Sequence, residues 1–152
     1  MPIRVLMAIP DIESQALMRD LLQAALCLVP HELDVVWVGS RQEMLRRVRA
    51  SLDDVIFLDW ALANSETPQL IRDLVQANPR IRTVVLLPMQ LRQYRQCLWE
   101  AGACSSIPKE NLDQEWLSSA LCFIRRAMER EARLEEKQLW PAKYPTSRVA
   151  AF

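Results

Sequence analysis

Five short apolar segments alternate along the chain with longer segments in which apolar positions recur every three or four residues. The short segments are rich in β-branched and aliphatic residues. Most of them form nearly continuous apolar runs rather than alternating ones, which is typical of strands buried on both faces of a parallel sheet. We therefore predict strands at residues 3–8, 33–38, 54–58, 82–87 and 104–107.

The longer segments carry the residues that begin and end helices. The predicted caps are Asp11 for the first helix, Ser40 with Glu43 for the second, Thr67 before Pro68 for the third and Asn111 for the fifth, with Gly102 ending the fourth. The predicted apolar faces are Ala16, Leu17, Leu21, Ala24 and Ala25; Met44, Leu45, Val48 and Leu52; Leu70, Ile71, Leu74 and Val75; Leu91, Tyr94, Leu98 and Ala101; and Leu117, Leu121, Ile124 and Met128.

Strands that alternate with helices over short loops predict an α/β protein. We expect a flavodoxin-like, doubly wound, five-stranded parallel sheet with strand order 2-1-3-4-5. This domain is expected to occupy residues 1–127. Residues 128–139 are almost all charged residues and strong helix formers, and predict a charged extension of the last helix. Residues 140–152 contain two prolines and no hydrophobic period, which predicts a flexible tail.

Composition and charge narrow the class of protein. Hydrophobic residues make up 51% of the 152 residues, and nineteen basic residues balance nineteen acidic ones. A net charge of zero argues against direct binding to nucleic acid or to an anionic membrane surface. No apolar stretch has the length of a membrane span. The four cysteines are far apart and lack metal-site spacing, so we expect reduced, buried thiols in a cytoplasmic protein.

The candidate chemistry lies where the strands end, because reactive groups of open α/β sheets gather at the carboxyl ends of the strands. Asp59 follows the third predicted strand and is followed by Trp60. It is either a reactive carboxylate at this edge of the sheet or an acid that stabilises a turn. Two glycines are too few for a glycine-rich phosphate loop. With no Ser/His/Asp arrangement and no metal-ligand cluster in the sequence, we predict no enzyme, no cofactor and no metal.

Four stretches resemble the receiver domain of two-component response regulators in their order and spacing. They read "RVLMAIPDIESQALMRDLL" (4–22), "DDVIFLDW" (53–60), "IRTVVLLPM" (81–89) and "EAGACSSIPKE" (100–110). The resemblance covers residues 3–127. It implies that Asp59 occupies the position of the aspartate that accepts a phosphoryl group. Lys109 then occupies the position of the lysine that pairs with that carboxylate and its phosphate.

The rest of the receiver pattern is missing. Receivers have two acids after the first strand that hold Mg²⁺, and here those positions are Ile9 and Pro10. The hydroxyl residue that ends the fourth strand is replaced by Leu87, and the aromatic residue of the fifth strand by Ser106. Phosphoryl transfer onto a carboxylate needs a divalent cation and a lysine to neutralise the developing charge. Mg²⁺ requires oxygen ligands, which these apolar side chains lack.

Asp11 is open to two interpretations, as a substitute Mg²⁺ ligand or as the cap of the first helix. We favour the cap, because aspartate is common at that position. With the neighbouring acids absent, Asp59 is expected to remain ionised beside Lys109. The sequence therefore predicts a degenerate receiver, or pseudo-receiver, in which Asp59 and Lys109 form an ion pair.

The expected function is that of a protein–protein interaction module in bacterial signalling or regulation, independent of phosphorylation. The resemblance implies that the fourth helix, the fifth strand and the fifth helix form the binding face. Trp99, Arg92 and Arg95 are the interface candidates, because an outward tryptophan beside arginines has the composition of a binding hot spot. The alternative is that Trp99 is partly buried and packs its ring on neighbouring residues. The partner is an unknown protein or a second copy of the chain.

Two other functions stay open. One is a phosphorylatable receiver with Asp59 as phosphoacceptor and Asp11 with backbone oxygens as metal ligands. The other is a small-ligand binder that uses an apolar crevice at the strand ends, lined by Ile9 and Leu87.

Three further features have simpler interpretations. His31 follows Pro30 and is expected to be a surface residue. Trp60 is a candidate lid over Asp59. The arginines of the second helix are expected to form a solvated face; they are Arg41, Arg46, Arg47 and Arg49.

Overall fold

The computed structural model describes residues 1–137 of the chain. Within them, five strands alternate with five α-helices. The elements are β1 (Ile3–Ala8), α1 (Ile12–Leu28), β2 (Leu33–Val38), α2 (Arg41–Arg49), β3 (Val55–Asp59), α3 (Thr67–Ala77), β4 (Arg82–Leu87), α4 (Arg95–Ala101), β5 (Ser105–Pro108) and α5 (Gln114–Glu136). Short 3-10 helices follow three of the strands, at Trp60–Leu62 and Asn64–Glu66, at Met89–Tyr94 and at Lys109–Asn111.

The sheet confirms the predicted architecture. All neighbouring strands are parallel, and their order is β2-β1-β3-β4-β5. The carboxyl ends of the strands therefore lie along one edge of the sheet. β3 is the central strand and is buried along its whole length, so that its last residue, Asp59, lies in the middle of this edge in register with Leu86.

The hydrophobic core has two parts, one on each face of the sheet. On one face, strand residues such as Leu58 and Leu87 pack with Met44, Leu70 and Leu98 of α2, α3 and α4. The other face packs against α1 and α5, which also contact each other. The continuous apolar runs of the sequence are explained by this arrangement, because each inner strand is covered on both sides.

Several local predictions are confirmed. The Asp11 carboxylate accepts the Ser14 amide at 2.9 Å and caps α1, and the Ser40 hydroxyl accepts the Glu43 amide at 3.3 Å and caps α2. Gly102 ends α4 with a φ of 126°, a conformation that favours glycine. The predicted apolar faces of α3 and α5 are buried or half-buried.

Other local predictions are wrong. Leu17 is 60% exposed, because α1 turns Met18, Leu22 and Ala25 toward the sheet instead. Leu52 is also exposed, since α2 ends three residues before it.

Two predicted caps are wrong as well. The cap of α5 is Asp113 rather than Asn111, and it accepts the Trp116 amide at 2.7 Å. Thr67 is the first residue of α3 rather than its cap, and its hydroxyl donates to the Asn64 carbonyl.

The fourth predicted helix is broken. Residues Met89–Tyr94 form a 3-10 helix with a kink at Leu91, and the α-helix begins only at Arg95. Tyr94, which was predicted to face the core, is partly exposed.

The predicted burial of the cysteines is wrong too. Cys27 is exposed, and the other three are half-buried.

Ion pairs hold the end of the sheet opposite the Asp59 edge. The Arg82 guanidinium, buried at the start of β4, donates to Glu131 of α5, and Arg80 pairs with Glu135 one turn further along the same helix. The first part of the predicted charged extension is thus bonded to the sheet. The predicted tail, residues 140–152, and the last two residues of the predicted extension lie outside the described residues.

None of the helices in the described part of the chain has the length and apolar character that a membrane span needs.

Candidate functional site

Asp59 and Lys109 form the predicted ion pair at the carboxyl edge of the sheet. Lys109 Nζ lies 2.6 Å from Asp59 Oδ1. The same oxygen accepts the backbone amide of Ala61 at 2.9 Å, which caps the 3-10 helix Trp60–Leu62. The Asp59 side chain is 1% exposed. Asp59 is therefore the acid of a turn, which is one of its two interpretations, and it is also paired with Lys109.

Asp11 lies at the same edge of the sheet, but its carboxylate is engaged elsewhere. One of its oxygens accepts both the backbone amide and the hydroxyl of Ser14, at 2.9 and 2.8 Å. The hydroxyl bond, followed by the amide bond, holds the pKa of Asp11 below its usual value, and the charge of Lys109 acts in the same direction. Of the two interpretations of Asp11, the structure shows the helix cap.

A backbone oxygen beside Asp11 is also engaged. The carboxamide of Gln15 donates to the Ile9 carbonyl at 2.7 Å. Sequence reasoning missed this contact. Its one signal is a glutamine near the start of a helix that follows the strand directly.

The oxygen ligands at this edge are few and are already engaged within the chain. Mg²⁺ takes near-octahedral oxygen ligands, usually carboxylates from the protein. The Asp59 and Asp11 carboxylates and the Ile9 carbonyl all accept hydrogen bonds or pair with a cation inside the chain. Among residues 1–137, no three His, Cys, Asp or Glu side chains are grouped to hold a metal. The residues present do not fit a magnesium site.

Ile9 and Leu87 take part in the core rather than lining an open crevice. Ile9 packs in the part of the core under α1 and α5, and Leu87 packs in the part under α2, α3 and α4. Both side chains are buried. Neither brings an oxygen to Asp59.

A second residue that sequence reasoning missed connects two loops of this edge. The carboxylate of Glu110 accepts the backbone amide of Met89, with each oxygen at 3.2 Å. Glu110 lies in the 3-10 helix after β5, and Met89 begins the one after β4. The acid directly after Lys109 in the sequence was the available signal. Lys109 thus contacts the end of β3, and the next residue, Glu110, contacts the loop that follows β4.

Ser106 contacts a residue that was predicted for a different role. Arg95 Nε donates to the Ser106 hydroxyl at 3.1 Å, and Arg95 Nη2 donates to the Ser106 carbonyl at 3.3 Å. The first residue of α4 is thereby bonded to β5. The structure joins a candidate of the degenerate site to a candidate of the interface.

A groove of about 510 Å³ lies between α4 and β5. Trp99 on its wall is 52% exposed, so it is an outward side chain rather than one packed mainly on its neighbours. The lining residues are Arg92, Gln93, Arg95, Gln96, Trp99, Ala103, Cys104, Ser105 and Ser106.

Trp60, the candidate lid, is a core residue. It is buried with the residues under α2, α3 and α4, and its ring lies 5.1 Å from that of Tyr94 at an angle of 46°. Its aromatic contact links the loop after β3 to the 3-10 helix after β4.

His31 is half-buried rather than a surface residue. Its Nε2 lies 3.5 Å from Cys122 Sγ on α5. Burial, and next the positive charge of Arg125, lower the pKa of His31 below 6.5.

The arginines of α2 do not all form a solvated face. Arg47 forms two hydrogen bonds, both at 3.0 Å, with the buried Asp53, and Arg41 pairs with Glu66.

Comparisons with known proteins identify the fold. No protein-family model and no curated protein matches the sequence. Among solved structures, the chain is similar to a response regulator receiver domain from Clostridium thermocellum, at 18% identity and a TM-score of 0.68 over 87% of this chain and 98% of that one. It is also similar to the receiver domain of a sensor histidine kinase from Pseudomonas aeruginosa, at 16% identity and a TM-score of 0.64 over 80% and 95% of the two chains. That structure has a magnesium ion coordinated in its active-site cleft.

A third match is a protein from Burkholderia pseudomallei whose description relates it to pilus assembly, at 20% identity and a TM-score of 0.64 over 80% and 88% of the two chains. The parallel sheet, its strand order and these matches agree, and the chain has the fold of the response regulator receiver domain.

Proposed function

We propose that the chain is a pseudo-receiver, a receiver-like domain that binds another protein without phosphorylation of Asp59. The observation that carries the proposal is the state of the Asp59 carboxylate. It is buried, it pairs with Lys109 at 2.6 Å, and it caps the turn at Ala61. Both contacts fall on Oδ1, and the 1% exposure of the side chain leaves a phosphoryl donor little access to the carboxylate.

The surroundings of Asp59 support the same proposal. Phosphoryl transfer is catalysed mainly by positioned charges, and the loss of one preorganised donor commonly costs about a hundredfold in rate. Here Ile9 and Leu87 bring apolar side chains, and Asp11 is used as a helix cap. These deficits fall on one small site and need not add, but they act in the same direction.

The residues between Asp59 and the proposed binding face also differ from the receiver pattern. The resemblance to receivers implies an aromatic residue at the position of Ser106, and here that serine accepts two hydrogen bonds from Arg95. The loop after β4 is held by Glu110 through the Met89 amide. These contacts favour one arrangement of α4 and β5, which suits a face whose binding does not depend on a covalent signal.

The test of the proposal is incubation with an acyl phosphate and Mg²⁺, followed by intact-mass measurement. The wild type is compared with Asp59→Ala, and an ordinary receiver serves as the positive control. We expect no added phosphate on either form of this chain. Substantial phosphate on the wild type that is missing from Asp59→Ala would instead identify a phosphorylatable receiver.

The expected partner is a protein of a bacterial cytoplasmic signalling or regulatory system. One of the matched structures comes from a protein related by its description to pilus assembly, so proteins of such assemblies are the first class to test. We place the contact on α4, β5 and α5. Trp99→Ala should weaken partner binding, and Asp59→Asn should leave it unchanged.

A further inference from the structure

The groove between α4 and β5 has an uneven distribution of charge. Two arginines, Arg92 and Arg95, line it, and no aspartate or glutamate is among its lining residues. Neither arginine forms an ion pair with any residue from 1 to 137. Their hydrogen bonds go to neutral acceptors, the Met89 carbonyl for Arg92 and Ser106 for Arg95. The groove therefore holds positive charge that the described chain does not neutralise.

Both guanidinium groups keep donors for a ligand. A guanidinium carries five N–H donors in a planar fork that fits a carboxylate. Arg95 uses Nε and Nη2 on Ser106, and Arg92 uses Nη1 in a long contact of 3.4 Å. A carboxylate that enters the groove can therefore bind without breaking an ion pair inside the domain.

Trp99 provides an apolar surface beside these charges. Trp99 is 52% exposed on the wall of the groove, with glutamines and serines around it. Tryptophan and arginine together dominate the energetics of many protein interfaces. These glutamines and serines can donate hydrogen bonds to the backbone of a bound peptide or accept hydrogen bonds from it.

We propose that this groove binds an extended acidic segment of a partner protein, with a carboxylate on Arg92 or Arg95 and a neighbouring aromatic or aliphatic side chain on Trp99. The inference rests on the proposed function and specifies the chemistry of its partner. Charge complementarity selects the acid, and the exposed indole selects the apolar side chain.

A symmetric dimer of this chain fits the groove poorly. In a two-fold interface the same patch meets itself, so a dimer formed through the groove places one lining against the other. The lining contains no acid that could bind the arginines of the second copy. Nucleic acid is also a weaker fit, because the groove offers two cations and the whole chain has a net charge of zero.

The test is selection of peptides from a random display library on the immobilised full chain. We expect enrichment of aspartate or glutamate next to aromatic or aliphatic residues. The enriched peptides are then synthesised and titrated against four variants by fluorescence anisotropy. Trp99→Ala and Arg92→Glu should each weaken binding by roughly tenfold or more. The controls, Leu17→Ala on α1 and Arg46→Glu on α2, change exposed residues outside the groove, one apolar and one basic, and should leave binding unchanged.

Peptide selection repeated on Arg92→Glu provides a second test of the inference. Selection on this variant should lose the acidic preference, whereas selection on Arg46→Glu should keep it. Circular dichroism and the melting temperature of each variant show that it is folded.

Three outcomes overturn the inference: basic or neutral peptides are enriched, no peptide is enriched, or the acidic peptides bind Trp99→Ala and Arg92→Glu as tightly as the wild type. These results leave the proposed function standing if Asp59 still takes no phosphate and a native partner still depends on α4 or α5. Phosphorylation of Asp59 would overturn the proposed function without changing the peptide result.

Discussion

Asp59 and Lys109 are joined at 2.6 Å, but they differ in their access to water. The carboxylate side chain is 1% exposed, and the lysine side chain is 33% exposed. Removing the lysine leaves a buried carboxylate that water scarcely reaches. Removing the carboxylate leaves an ammonium group that can turn toward solvent. The two halves of the pair should therefore differ in their effect on stability.

Lys109→Met should lower the free energy of unfolding by about 3 kcal/mol, because it leaves an uncompensated buried charge. Asp59→Asn should cost only about 1 kcal/mol, because an amide oxygen can still accept the Ala61 amide. Urea unfolding of both variants measures the difference. Lys137→Met, at an exposed position, is the control and should have no effect. A larger loss for Asp59→Asn than for Lys109→Met would contradict this account of the pair.

His31 should make stability depend on pH. Its pKa in the folded chain lies below the usual 6.5, first through burial and then through Arg125. The unfolded chain therefore binds the proton more readily. Stability from this residue is complete above pH 6.5 and is lost as the pH falls through the folded pKa. His31→Gln should flatten the dependence of the unfolding free energy on pH in this window. An unchanged slope would mean that other groups cause it.

Glu131→Gln should destabilise the domain by about 3 kcal/mol, because it leaves the buried guanidinium of Arg82 without its carboxylate. Glu129→Gln is the matched control on the same helix, since Glu129 is exposed and should tolerate the change. Thermal and urea unfolding compare the two. The double variant Arg82→Met with Glu131→Leu should recover much of the loss. Equal stability of the two single variants would show that the ion pair contributes little.

Glu110→Gln should loosen the loop after β4. The carboxylate holds the Met89 amide, and a hydrogen bond to a charged group at an exposed position contributes about 1 kcal/mol. We expect hydrogen exchange at Met89 to become several-fold faster while exchange in β3 is unchanged. Glu100→Gln, an exposed acid on α4, serves as the control. If Met89 exchanges at the wild-type rate in Glu110→Gln, the carboxylate does not restrain the loop.

The fold could be predicted because its main signals are local. Buried parallel strands require continuous apolar runs, and these runs predicted the number of strands and their positions along the chain. The phase of α1 was not predictable in the same way, because apolar residues surround much of that helix and the neighbours Leu17 and Met18 are both large and apolar. Only the packing against the sheet and α5 selects Met18 for the core.

The part of the site that was predictable is the part that the strand order determines. Asp59 ends β3 and Lys109 directly follows β5, so the parallel order brings them to one edge. The contacts of Gln15 with the Ile9 carbonyl and of Glu110 with the Met89 amide were missed. Both depend on the path of a loop backbone, which no residue pattern specifies in advance. They nevertheless occupy polar groups on which a metal or a moving loop would depend.

The consecutive residues Lys109 and Glu110 have a consequence for how such a domain would carry information. Lys109 contacts Asp59 at the end of β3, and Glu110 contacts Met89 in the loop after β4. Because both residues directly follow β5, they connect the ends of three strands. A ligand or modification shifts a conformational equilibrium only when a second conformation is populated and differs in affinity. On the proposed function, no phosphorylated form exists to shift such an equilibrium. The amount of signal would then depend on how much of the chain is present rather than on how much of it is modified.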